Sequence, residues 1–176
     1  MKPTLIAIGG FAGAGKSTLA RSLGRHLQTP VFEIDQIAKS IQNSATFKGS
    51  AQDAYGVAFD LFFDFAVMQL RNGSSLIFDQ NLGHERTWQN LEKLRAELAD
   101  TADIKIFILE CPYEVCLERF AARTEHPNID DVTLADLADH KFKWDYLNEN
   151  ELPQAIRIDA TSSSSEVFDQ VRSHLE

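Results

Sequence analysis

The segment Gly10-Phe11-Ala12-Gly13-Ala14-Gly15-Lys16-Ser17 fits G-x-x-x-x-G-K-[ST] at every fixed position. It follows a short β-prone apolar run, Thr4 to Ile8. It precedes a helical pattern in which Leu19, Ala20, Leu23 and Leu27 recur until Thr29-Pro30 breaks it. That order dictates a strand, a tight turn and a helix. Glycines let such a turn curl until successive N–H groups face inward, and the helix start adds a positive dipole end. The backbone from Gly10 to Gly15, continuing into Thr18, then forms a cradle for phosphate groups. Lys16 reaches β- and γ-phosphates from it, and the Ser17 hydroxyl is a ligand for Mg²⁺. An incidental glycine turn is the competing reading, and the strand before and helix after argue against it.

The rest of the chain repeats this alternation. Val31 to Asp35 reads as a second strand. The stretch from Gln36 to Ser75 exceeds what one crossover helix needs: a short helix over Gln36 to Gln42, a loop at Asn43 to Ser50, then a long helix to about Asn72. On that helix Ala58, Leu61, Phe62, Phe65 and Met68 share a face, and Gly73 suits the left-handed position past its end. Leu76 to Asp79 is a third strand, Glu85 to Leu98 an amphipathic helix, and Ile104 to Glu110 a fourth strand. Pro112 suits the first turn of the next helix. A polar loop follows from Arg123 to Asp131, Thr133 with Asp136 signals another helix, and Ile156 to Asp159 is a fifth strand. Ser163 with Glu166 caps a final helix. Strands alternating with helices predict a parallel sheet covered on both faces, in one domain spanning residues 1–176. The strand order does not follow from the pattern.

Three further groups carry chemistry. Leu76-Ile77-Phe78-Asp79 is an apolar strand ending in a carboxylate at the cradle's edge of the sheet, where it could hold Mg²⁺. A strand-ending aspartate that merely opens a turn has the same form. Asp35, expected at the end of the second strand, could accept the proton of an attacking hydroxyl or simply cap the helix that follows. Glu33, two residues earlier, points to the same side in that reading. Arg119 and Arg123 are four apart on one helical face and lead into a long connection, as lid arginines would, although pairing with Glu114 or Glu118 is the plainer alternative. Lys39, Phe47, Lys48 and Tyr55 in the surplus segment 36–75, and Asn81, His84 and Arg86 after the third strand, are the candidates for substrate contact. His26 and His174 look merely exposed, and His126 and His140 lack metal-ligand spacing.

Composition sets limits on the partner. Acidic residues outnumber basic ones, 26 to 17, for a formal charge of -9. A protein that grips long phosphate backbones carries the opposite balance, so extended nucleic-acid binding is disfavoured. Cys111 and Cys116 are too few for a disulfide framework and read as small buried thiols in a reducing compartment. Asp60 and Asp64 interrupt the greasiest stretch, and the amino terminus lacks a signal-peptide pattern. A cytoplasmic protein without a membrane span is expected. The oligomeric state is not legible.

Taken together, these motifs resemble the small P-loop kinases of the nucleoside monophosphate kinase-like group. The chain is most similar to the AAA-type predicted kinases and to the kinase domain of polynucleotide kinase. The matching pieces are Gly10 to Leu19, Phe32-Glu33-Ile34-Asp35, and Ile77-Phe78-Asp79-Gln80-Asn81-Leu82 followed by His84-Glu85-Arg86, which is similar to D-x-N-L-x-x-E-R. Glu118-Arg119 with Arg123 is similar to the lid entry. The resemblance spans about residues 3 to 160, and only its first motif is highly specific. It implies a three-layer P-loop fold with a five-stranded parallel sheet of order 2-3-1-4-5, a substrate cap at 36–75 and a lid at 119–145. It also implies ATP and Mg²⁺, a general-base aspartate matched by Asp35, Arg119 packed on adenine, Arg123 on the phosphates, and Thr161 beside adenine. Two departures stand out. No arginine follows closely after Asp35, as it does in polynucleotide kinases. The carboxylate pair is Glu-x-Asp rather than the Asp-x-Asp of shikimate kinases.

The function expected is transfer of the γ-phosphate of ATP to a hydroxyl of a small metabolite or nucleotide-like acceptor. A nucleotide-sensing protein with little turnover is the alternative from another class. A polynucleotide or toxin-like kinase is a third.

Overall fold

The computed structural model describes residues 2–122, 137 and 154–175. Five parallel strands form one sheet: β1 (Thr4–Gly10), β2 (Val31–Glu33), β3 (Leu76–Asp79), β4 (Asp103–Glu110) and β5 (Ile156–Asp159). Their spatial order is β2-β3-β1-β4-β5, as the family resemblance implied. The helices are α1 (Lys16–Leu27), α2 (Ile34–Gln42), α3 (Ala51–Arg71), α4 (Glu85–Glu97), α5 (Tyr113–Ala121) and α6 (Ser164–Ser173).

Alternation along β3 shows how the layers are covered. Phe78 stacks on Phe62 of α3, with ring centroids 3.7 Å apart and planes within 7°. Its neighbour Ile77 faces the other way, towards Gly24 of α1. Successive strand side chains point to opposite faces, so α1 and α3 lie on opposite sides of the sheet. Leu76, Ile77 and Phe78 are all fully buried, as a central parallel strand requires. Phe32 and Phe63 extend the aromatic cluster around Phe62 and Phe78.

Two expectations need correction. The second strand ends at Glu33 rather than Asp35, and the chain is helical from Ile34. Ile34 and Ala38 are buried while Ile37 and Ile41 pack against the core, a period of three to four that already begins at Ile34. Asp35 therefore stands in the first turn of α2. On α3, Leu61 and Met68 are 52% and 50% exposed. The buried face keeps Ala58 and Phe62 from the expected set and is completed by Ala54, Phe59, Ala66 and Leu70, because small alanines let the helix lie close against the sheet and its aromatic residues fill the gaps beside them. His26 is exposed, as expected, and packs edge-on against Phe168 at 5.3 Å.

Register brings the chemistry to one edge. Ile8 and Glu33 both pair with Asp79, and Gly10 pairs with Leu109. The carboxyl ends of β1, β2 and β3 thus finish together. After β1 the chain crosses to the β2 side, and after β3 it crosses to the β4 side. Open parallel sheets bind ligands in the crevice at such a reversal, here between β1 and β3.

Candidate active site

The turn from Gly10 to Lys16 has the curled backbone its sequence predicts. Gly10, Gly13 and Gly15 take φ values of 145°, 93° and 98°, a region that side chains disfavour. Gly13 is constrained twice, since a Cβ there would lie 2.1 Å from the carbonyl oxygen of Cys116. The first turn of α5 therefore backs the cradle directly. Phe11 and Tyr113 rings, 5.5 Å apart, add to this contact. Lys16 donates from Nζ to the Phe11 carbonyl at 3.1 Å, so its ammonium lies back over the loop.

Asp79 is 6% exposed, and the Ser17 hydroxyl nearby favours its charged form. Burial pushes its carboxyl up to about 6, with Asp35 and Glu33 adding to the rise and Lys16 and Ser17 opposing it. A buried carboxylate with a hydroxyl nearby offers hard oxygen donors of the kind Mg²⁺ takes, although the described residues hold no cluster of three such side chains. Glu33 is differently engaged. Arg21 of α1 grips it with both arms of its fork, Nε to Oε1 at 2.8 Å and Nη2 to Oε2 at 2.5 Å. Arg21 escaped the sequence reading, although its place four residues after Ser17 puts it on the same face of α1.

Asp35 accepts a hydrogen bond at Oδ1 from the Tyr55 hydroxyl of α3, at 3.0 Å. The sequence offered Tyr55 only as one of several possible contacts in the surplus segment. Lys48 donates to the Ala45 carbonyl at 3.0 Å and so braces its own loop.

Arg119, in the last turn of α5, donates from Nη1 to the Ala160 carbonyl at 2.8 Å and from Nη2 to the Thr161 carbonyl at 3.4 Å. It is thereby tied to the turn after β5 rather than to Glu114 or Glu118. Asp159 organises the same turn by accepting from the backbone and hydroxyl of Thr161, at 2.9 and 2.6 Å. Those donors hold the Asp159 carboxyl below the usual range. After β3, the side-chain carbonyl of Asn81 accepts the Gly83 N–H at 2.6 Å, and Trp88 donates to the Leu82 carbonyl at 2.5 Å. Arg86 pairs with Asp60 and lies over the Phe59 ring, which makes it a link between α4 and α3. Of the expected lid at 119–145, residues 123–136 and 138–145 lie outside the described residues, and with them Arg123 and the signals at His126, Thr133, Asp136 and His140.

A family model described as an AAA domain matches residues 5–145, most of the chain. The chain belongs to that family. No curated protein matches it in sequence. Among solved structures, a sugar kinase from a Janibacter species superposes with a TM-score of 0.70 at 14% identity, covering 99% of this chain and 95% of that one. The tunicamycin resistance protein of Deinococcus radiodurans gives 0.68 at 20% identity, covering 99% and 96%. A gluconokinase from Sinorhizobium meliloti gives 0.67 at 15%, covering 98% and 91%. At these identities the likeness is one of fold, and the fold is that of small P-loop kinases. Among the described residues, no helix is long and apolar enough to cross a membrane.

Proposed function

We propose that this member of the AAA domain family transfers the γ-phosphoryl group of ATP to a hydroxyl of a small metabolite or nucleotide-like acceptor. The observation that carries the reading is the convergence, at the β1–β3 edge, of the glycine cradle with Lys16, the Ser17–Asp79 pair and Asp35.

Backbone amides from Gly10 to Gly15, with Thr18 at the helix start, hold the phosphates. Lys16 leaves the Phe11 carbonyl for the β- and γ-phosphate oxygens. Ser17 and Asp79 would hold Mg²⁺; Glu33 is a weaker candidate because Arg21 already neutralises it. A Mg²⁺ held there would offset the negative charge that develops as the phosphoryl group is transferred. Asp35 takes the acceptor's proton as the acceptor oxygen bonds to Pγ. The bridging bond to the β-phosphate breaks, and ADP leaves with that electron pair. Arg119 and Thr161 border the adenine side, and Arg123 meets transition-state charge. The segment 36–75 caps the acceptor, residues 119–145 form the lid, and the protein works in the cytoplasm.

The test is acceptor-stimulated ADP release from Mg-ATP across sugars, sugar acids and nucleosides. Asp35→Asn should keep ATP affinity while the rate with the best acceptor falls by about 10²–10⁴-fold. Wild-type transfer by Asp35→Asn would remove Asp35 as the base. Tight ATP binding with no acceptor stimulation anywhere in the panel would favour a nucleotide-sensing role instead.

A further inference from the structure

Tyr55 and Asp35 lie twenty residues apart in sequence, on α3 and α2, yet the phenol donates to Oδ1 in a partly buried setting. The position of the phenol is fixed from behind. Ser50 and Asp53 form a capping box at the start of α3: the Ser50 side chain accepts the Asp53 N–H at 3.2 Å, and the Ser50 N–H donates to the Asp53 carboxylate at 2.8 Å. The preceding loop folds onto that cap so closely that a Cβ at Gly49 would lie 2.7 Å from the Phe47 ring and 2.9 Å from Asp53. Phe47 is anchored in turn by its N–H to the Ser44 carbonyl at 3.1 Å. Tyr55 therefore projects from the best-braced end of the segment between β2 and β3.

We propose that Tyr55 is a positioning residue for the carboxylate that accepts the proton. It selects one rotamer of Asp35 by holding Oδ1, and so sets how the carboxylate faces the acceptor's hydroxyl. Side-chain wells of an aspartate differ by about RT or little more, whereas a hydrogen bond to a charged group contributes about 1.5–3 kcal/mol, enough to choose among them. The contact also links the substrate-cap segment to the reacting atoms, so the loop that shapes the acceptor site orients the base as well. This inference rests on the role proposed for Asp35.

Water can serve as the acceptor, so the test needs no knowledge of the natural one. Steady-state hydrolysis of Mg-ATP is compared in wild type, Tyr55→Phe, Asp35→Asn and the double variant, with melting temperature recorded for each. Tyr55→Phe should lower kcat about five- to twenty-fold and leave KM for ATP unchanged, while the melting temperature falls by a few degrees as the bond to Asp35 is lost. The double variant should match Asp35→Asn, since the phenol acts only through the carboxylate. Full kcat in Tyr55→Phe beside an impaired Asp35→Asn overturns the positioning role and leaves Asp35 as the base. Losses that add in the double variant overturn it too. Wild-type kcat in all four proteins removes the role of Asp35, and that of Tyr55 with it. Independently of turnover, the ¹³Cζ resonance of labelled Tyr55 should move in Asp35→Asn, and an unmoved resonance would refute the contact.

Discussion

Asp79 shows what a single side chain contributes here and what it costs. Its carboxyl is pushed up to about 6 because burial and two neighbouring carboxylates disfavour the charge more than Lys16 and Ser17 favour it. The folded value lies above the unfolded one of about 3.9, so the folded protein binds more protons between the two. Stability from this group is full below about pH 4 and is lost as pH rises through about 6. In EDTA, Asp79→Asn should flatten that part of the stability curve and raise the melting temperature at pH 7.5. A shift of about two units sets roughly 3 kcal/mol as the upper bound. Thermal unfolding from pH 4 to 7.5 reads this directly, and parallel curves for the two proteins would assign the titration to another group. Gly13 presents the second residue-level prediction. Gly13→Ala meets both a φ of 93° and the Cys116 carbonyl 2.1 Å from the new Cβ. The variant should melt lower and lose the stabilisation by Mg-ATP; a thermal shift equal to that of wild type would contradict the close-packing argument.

At the scale of elements, α5 and α3 hold the site from two directions. The beginning of α5 presses the Cys116 backbone against the cradle, and its end fastens the turn after β5 through Arg119. Cys116 is fully buried there, its thiol pushed up to about 12 by burial and by Cys111, so it serves as packing rather than as a nucleophile. α3 buries aromatic rings against β2 and β3 and presents Tyr55 from its capped start. Loss of an N-cap side chain costs about 1 kcal/mol, equivalent to roughly 2–4 °C in a chain of this size. Ser50→Ala should show that fall in a melting curve. An unchanged melting temperature would mean that packing against the sheet alone fixes the start of α3.

On the scale of the whole molecule, a net charge of -9 is compatible with the proposed phosphate site. Positive potential is local: a helix start, Lys16 and Arg119 converge on the carboxyl edge of the sheet, whose order reverses between β1 and β3. Saturating Mg-ATP at a hundred times its Kd should stabilise the fold by about 2.7 kcal/mol, which raises the melting temperature by about 5–10 °C. Lys16→Ala should lose most of that rise, and differential scanning fluorimetry compares the two. An equal shift in Lys16→Ala would contradict the place given to Lys16.

Much of this was legible in order along the chain. The cradle needs particular residues at fixed spacing, and a central parallel strand needs an unbroken apolar run, so Gly10 to Ser17 and Leu76 to Asp79 announce themselves. The helix at Ile34 was harder to see, because an apolar residue at the end of a short strand satisfies both the strand period and the helical one until its neighbours decide. The buried face of α3 depended on which side met the sheet, and Leu61 and Met68 had the right type for a face they do not occupy. By itself the sequence determined the glycine-rich turn between the first strand and helix, the alternation of strands and helices and the net charge, since these rest on local backbone chemistry and on totals. Only the tertiary structure decided that Arg21 takes Glu33, that Arg119 fastens the turn after β5 and that Tyr55 reaches Asp35. Each of those pairs joins side chains far apart in sequence, and no local pattern records which distant partner packing will supply.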